Sequence, residues 1–110
     1  MRIPNADNAL IAVEKLRDYL LDPEHPSGGS KAVLLITMGY QRSDPMRLET
    51  DLREQHLKRD VESSIPDDYG MRYEIRGPIR TPKGRLVTFR SVWQIDTGTD
   101  RPRLITLYPD

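Results

Sequence analysis

Met71-Arg72-Tyr73-Glu74-Ile75-Arg76 is the stretch on which the fold turns. Apolar and charged residues alternate one by one along it, the pattern of a strand with one face on a core and the other in solvent. Downstream, Val87, Phe89, Ser91, Trp93 and Ile95 alternate with Leu86, Thr88, Arg90, Val92 and Gln94, a long β-rich strand with apolar residues on both faces. Thr81-Pro82-Lys83-Gly84 reads as the turn between them. Thr97-Gly98-Thr99-Asp100 reads as a second turn, ahead of a last strand over Arg103 to Tyr108. Upstream, Val61 to Ile65 reads as a short strand stopped by Pro66-Asp67-Asp68.

Before about Asp60 the period is helical. Within Ala9 to Leu21, the residues Leu10, Val13, Leu16 and Leu20 recur at helical spacing, and Asp22-Pro23 ends the run because proline disfavours helical geometry in the residue before it. Ser30 is placed to cap a second helix from Lys31 to about Met38. Its Val33, Leu34, Leu35, Ile36 and Met38 are apolar on nearly every side, which predicts burial, and Gly39 closes it. Asp44-Pro45 starts a third, solvated helix running to about Arg59, with Leu48, Leu52 and either Gln55 or His56 on its inner edge and Asp51 on its solvated side. For His56, among charges, a surface role is the expected one. The predicted fold class is α+β, with N-terminal helices packed on one face of a three- or four-stranded antiparallel β-meander. One domain is expected over residues 1–110, mainly helical in 1–59 and mainly β in 60–110.

Seventeen basic and seventeen acidic side chains cancel across the 110 residues, which excludes a polycationic nucleic-acid coat protein. The cancellation hides a polarity. Residues 1–70 hold nine basic and thirteen acidic side chains, whereas residues 71–110 hold eight and four. There is no cysteine, so disulfides, thiolate nucleophiles and Cys-ligated metals fall away, and two histidines are too few for a site built on several imidazoles. No cofactor or metal is expected. The N-terminus lacks the apolar run of a signal peptide and no segment has the length of a membrane span, so a cytoplasmic protein is expected. P-loop, G-x-G-x-x-G, H-E-x-x-H and G-x-S-x-G patterns are all missing.

Two stretches could carry chemistry. In Pro23-Glu24-His25-Pro26-Ser27-Gly28-Gly29-Ser30-Lys31, a loop histidine can act as general acid or base, and a lysine at the next helix start can neutralise a phosphate. The plainer reading is that His25 bonds the backbone of its loop and Lys31 is solvated. In the last strand, alternation puts Leu104, Thr106 and Tyr108 on one face and Arg103, Ile105 and Leu107 on the other, so a hydroxyl and a phenol point the same way. They could position a phosphate, or be no more than favoured strand formers. Arg90 and Arg103 belong to a comb of basic residues on the strands, and Tyr73 or Trp93 could stack on a base, which suits single-stranded RNA. Arginines paired with acidic helices would look the same.

The blocks Lys15-Leu16-Arg17-Asp18-Tyr19-Leu20-Leu21-Asp22-Pro23-Glu24-His25-Pro26, Gly28-Gly29-Ser30-Lys31-Ala32, Val92-Trp93 and Pro102-Arg103-Leu104-Ile105-Thr106-Leu107-Tyr108-Pro109 resemble a prokaryotic family of unknown function of about this length. More distantly the chain is similar to the barnase/EndoU/colicin-nuclease-like superfamily of ribonuclease toxins. That resemblance implies helices against a four-stranded antiparallel sheet, with His25, Lys31, Thr106 and Tyr108 as catalytic residues and Arg103, Arg90 and Trp93 as substrate contacts. It also implies RNA, tRNA included, as substrate, cleaved without metal by attack of the 2′-hydroxyl. The expected partner is a cognate antitoxin or immunity protein encoded nearby. The alternatives are a non-catalytic interaction module of immunity or antitoxin type and a structural dimer built on a sheet edge.

Overall fold

A computed structural model describes all residues from Met1 to Asp110. The alternating segments form one antiparallel sheet in the order β1-β2-β3-β4, with β1 at Ser63–Asp67, β2 at Gly70–Arg80, β3 at Leu86–Asp96 and β4 at Arg103–Pro109. Consecutive strands pair, so the α+β class and the antiparallel meander agree with the pattern of alternation. The first strand lies two residues later than expected and runs through Pro66, which β1 tolerates because it is an edge strand with one side free of partners.

Tyr73, Ile75 and Ile79 of β2, Phe89 and Trp93 of β3, and Leu104 and Leu107 of β4 enter one hydrophobic cluster with the helices. The alternation predicted for β4 fails at one point. The register slips between Val92 and Trp93, so that Trp93 faces Leu104 while Val92 faces Thr106 and Ser91 faces Leu107. This bulge puts an extra residue in β4 and lets Leu104 and Leu107 both turn inward. Thr106 and Tyr108 therefore share the outer face with Arg103, and not with Leu104.

Three helices cover the inner face. α1, Val13–Lys15, runs on into a π-helical turn, Leu16–Leu20, closed by Leu21 N–H bonding Leu16 C=O at 2.8 Å. The added residue in that turn brings Leu16, Leu20 and Leu21 all into the core. Residues 9–12 are extended instead of helical. Leu10 lies alongside β4, donating its N–H to Pro102 C=O at 2.7 Å and accepting from Leu104 N–H at 3.0 Å, so the free edge of β4 takes the backbone groups a helix would have used.

α2, Gly29–Thr37, departs from expectation in the other direction. Only Ala32 and Leu35 are buried, while Val33, Leu34 and Ile36 are 52, 47 and 39% exposed. Gly39, at φ +104, closes it as expected. α3, Pro45–Gln55, packs Leu48 and Leu52 inward and also buries Asp51, whose carboxylate accepts a 2.7 Å bond from the buried Tyr40 hydroxyl. Burial first, and then Asp51 itself, push the Tyr40 phenol well above its ordinary range.

His56, just past α3, is 1% exposed and not a surface residue. Its Nε2 sits 2.8 Å from Ser91 Oγ, which also accepts the Trp93 indole N–H at 2.8 Å. Its Nδ1 makes no hydrogen bond. No helix is long and apolar enough to cross a membrane.

Candidate functional site

At the outer edge of β4, residues from four segments meet around one phenol. Tyr19 Oη lies 3.2 Å from Thr106 Oγ1, and Lys31 Nζ is 3.4 Å from each of those oxygens. The Lys31 ammonium also stands 5.2 Å from the Tyr108 ring centre and 5.9 Å from that of Tyr19, while Lys15 approaches the Tyr19 ring at 5.0 Å. His25 meets the same ring edge-on, with centres 4.9 Å apart. His25, Lys31, Thr106 and Tyr108, named separately from two stretches of sequence, are thus drawn together.

Tyr19 was not singled out. On an ordinary helix it is one more polar-edged residue beside Leu16 and Leu20. The π-helical turn, which leaves no local signature in the sequence, seats those leucines in the core and presents the phenol to α2 and β4.

The loop before α2 is built to the same end. His25 Nδ1 accepts the backbone N–H groups of Ser27 and Gly28, each at 3.1 Å, and lies 3.2 Å from Ser27 Oγ. An imidazole nitrogen that accepts cannot also carry the proton, so the neutral ring holds its N–H at Nε2. His25 rather than Ser30 therefore organises the start of α2, and Gly29 N–H bonds His25 C=O at 3.0 Å. A Cβ on Gly28 would stand 2.6 Å from the Tyr19 ring, and one on Gly29 would stand 2.5 Å from Pro23 C=O.

Gly28→Ala is accordingly expected to push the Tyr19 ring off Lys31 and Thr106, at a stability cost of about 1–3 kcal/mol. The check is a spectroscopic titration of the Tyr19 phenol. Burial raises its proton affinity, but the hydrogen bonds from Thr106 and Lys31 and the charges of Lys31 and Lys15 outweigh burial and leave it below the ordinary tyrosine value. In the variant it should move back up, and an unmoved titration would show that Gly28 does not set the ring.

Neither Lys15 nor Lys31 has a carboxylate within ion-pair distance. The cluster thus offers two uncompensated ammonium groups, three hydroxyls and an imidazole N–H, a donor set matched to a phosphate. It is an open surface, whereas the molecule's concavities lie elsewhere.

Each of the three expected substrate contacts is already engaged within the protein. Trp93 is fully buried and its indole N–H is used by Ser91, so it cannot stack on a base. Arg90 lies opposite Tyr108 in the sheet, but its guanidinium is held by Glu74 at 3.1 Å, Asp110 at 3.0 Å and Glu62 at 3.3 Å. Arg103 forms a two-pronged pair with Asp96 at 2.8 and 3.2 Å. The carboxylates that neutralise these arginines are on or beside the sheet, not on the helices. The helical half pairs within itself, as in Arg53–Glu49 and Arg47–Asp51.

Comparison with known proteins adds two findings. The family described as "Domain of unknown function (DUF6883)" matches residues 2–110. Among solved structures, a chain of "Contact-dependent growth inhibition toxin - immunity protein complex from Klebsiella pneumoniae 342" is similar with a TM-score of 0.66 at 15% identity, over 93% of this chain and 100% of that one. At that identity the likeness is one of fold. No curated protein matches the sequence.

Proposed function

The chain belongs to the DUF6883 family, whose function is unknown, so its chemistry has to be read from its own residues, and we propose that it is a metal-independent endoribonuclease of toxin type. The observation that carries this reading is Lys31, a cation with no carboxylate partner, held between the hydroxyls of Tyr19 and Thr106 and beside the ring of Tyr108. A bridging phosphate of RNA would take the place of the missing anion. The 2′-hydroxyl oxygen attacks the adjacent phosphorus and the P–O5′ bond breaks, leaving a 2′,3′-cyclic phosphate and a 5′-hydroxyl. Lys31 and Thr106 stabilise the charge that builds on the phosphoryl oxygens. The 2′-hydroxyl proton passes to water as its oxygen attacks. His25 donates a hydrogen bond from Nε2, the position its loop leaves free, to a phosphoryl oxygen, and Tyr19 protonates the departing O5′ and regains its proton from water.

The fold likeness to a chain of a toxin–immunity complex supports a toxin system and a cognate protein partner, and we place the protein in the cytoplasm as part of the same reading. Three helices on a four-stranded antiparallel sheet, as one domain over residues 1–110, are in keeping with kinship to the barnase/EndoU/colicin-nuclease-like superfamily. The test is incubation of purified protein with total RNA and with tRNA in EDTA. Fragments should carry 2′,3′-cyclic phosphate ends, and a His25→Ala/Lys31→Ala protein that remains folded should yield none. If the folded wild-type protein cuts neither substrate, the non-catalytic partner role takes its place.

A further inference from the structure

We propose that the exposed face of α2, together with the β2–β3 turn, is a docking surface for an acidic protein that inserts aliphatic side chains. α2 and the turn touch through a 3.4 Å bond from Lys83 N–H to Met38 C=O, and between them lies a concavity of about 320 Å³ lined by Leu34, Thr37, Met38, Lys83, Arg85 and Val87. Leu34, which lines it, and Val33 and Ile36 on the same helix are all exposed to solvent. Singly exposed apolar residues are ordinary; several on one helix face beside an apolar-lined concavity mark an interaction site.

Charge selects the occupant. Residues 29–38 and 80–88 contain Lys31, Arg80, Lys83 and Arg85 and not one Asp or Glu, in a chain whose charges otherwise cancel. None of these four cations is in an ion pair. A second copy of this chain on the same face would set Lys83 and Arg85 against their equivalents. Single-stranded RNA binds by stacking bases on aromatic rings, and no aromatic ring lines this concavity. A protein carrying Asp or Glu around an apolar anchor satisfies both the pocket and the cations.

The surface stands on its own chemistry and does not require the cluster to cleave RNA. Its position deepens that reading nonetheless. Lys31 is the third residue of the nine-residue helix whose far end lines the concavity, six residues before Thr37 and about 9 Å from it along the axis at 1.5 Å per residue. An occupant of ordinary interface size, about 800 Å² per side, would cover Lys31 as well.

The experiment selects binders of the intact chain from displayed fragments of the source genome, then measures each against wild type and a Leu34→Glu/Arg85→Glu variant whose fold is checked by circular dichroism. The fragments recovered should be proteins with an excess of Asp and Glu, and should lose at least about tenfold in affinity on the variant. Basic binders, binders indifferent to the variant, no binder at all, or sedimentation of the chain alone as a dimer that the variant dissociates would each overturn the proposal. So would RNA recovered in place of protein. The variant leaves the Tyr19 cluster untouched. If it escapes binding while wild type shows no nuclease activity, the surface stands and the ribonuclease reading falls.

Discussion

Lys31→Met is expected to lower RNA cleavage by about two to three orders of magnitude while leaving the protein folded. The ammonium is the one charged donor in contact with both Tyr19 and Thr106, and removal of a preorganised donor to a developing oxyanion costs about 2.7–4 kcal/mol of transition-state stabilisation. Methionine keeps an unbranched apolar stem and removes the ammonium that stands over Tyr108. The loss should fall on kcat more than on KM, because the charge on the phosphoryl oxygens grows in the transition state. A second readout needs no RNA. Two of the influences that hold the Tyr19 phenol below its ordinary value come from Lys31, its hydrogen bond and its charge, so in the variant that phenol should titrate higher. A variant that cuts as fast as wild type would end the assignment of Lys31. One that is slow with an unshifted Tyr19 would end the coupling between the two residues.

Lowering the pH from 7 to 5 is expected to remove about 2 kcal/mol of folding stability through His56 alone. Burial is the main reason its imidazole sits at about 4 in the folded chain, with the Arg59 charge adding to it and the carbonyls of Ile75 and Gly77 pulling the other way. In the unfolded chain the ring titrates near the ordinary 6.5. Between those values the unfolded chain binds the extra proton, so stability falls as pH falls, by about 1.4 kcal/mol per unit once below 6.5. The contribution is complete above 6.5 and lost by about 4. Asp18, Asp96 and Asp110 are all held below the ordinary carboxylate value by arginine partners and so titrate beneath this window. Urea unfolding at pH 7 and pH 5 measures the difference, and a His56→Gln protein should lose most of it. Equal losses in the two proteins would place the pH dependence elsewhere.

The sheet was legible because its information is local: each strand alternates within itself, and each turn carries its own glycine or proline. What was misread depended on contacts no local pattern contains. Val33, Leu34 and Ile36 are as apolar as core residues, yet hydrophobicity says only that a side chain prefers a partner, and here none is present within the chain. The buried imidazole of His56 pairs with Ser91, 35 residues away. Leu10 follows a helical spacing and is claimed by the edge of β4. In the candidate site, His25, Lys31, Thr106 and Tyr108 were visible as residue types suited to phosphate chemistry, whereas Tyr19 depends on a π-helical turn and the outward face of Arg103 on a bulge. Arg90 and Trp93 were suitable in kind but already engaged, by carboxylates and by the core.

The bond between Tyr19 and Thr106 joins residues 87 apart, and that between Lys31 and Thr106 joins residues 75 apart. Each strand of the meander, by contrast, pairs with its neighbour in the chain, so the sheet can grow hairpin by hairpin at small loop-closure cost. The cluster comes together only when the last strand meets segments made near the start. During synthesis the ribosome therefore carries helices and most of a sheet before the cluster exists, and Tyr19, Lys31 and Thr106 meet only once β4 has been released and docked.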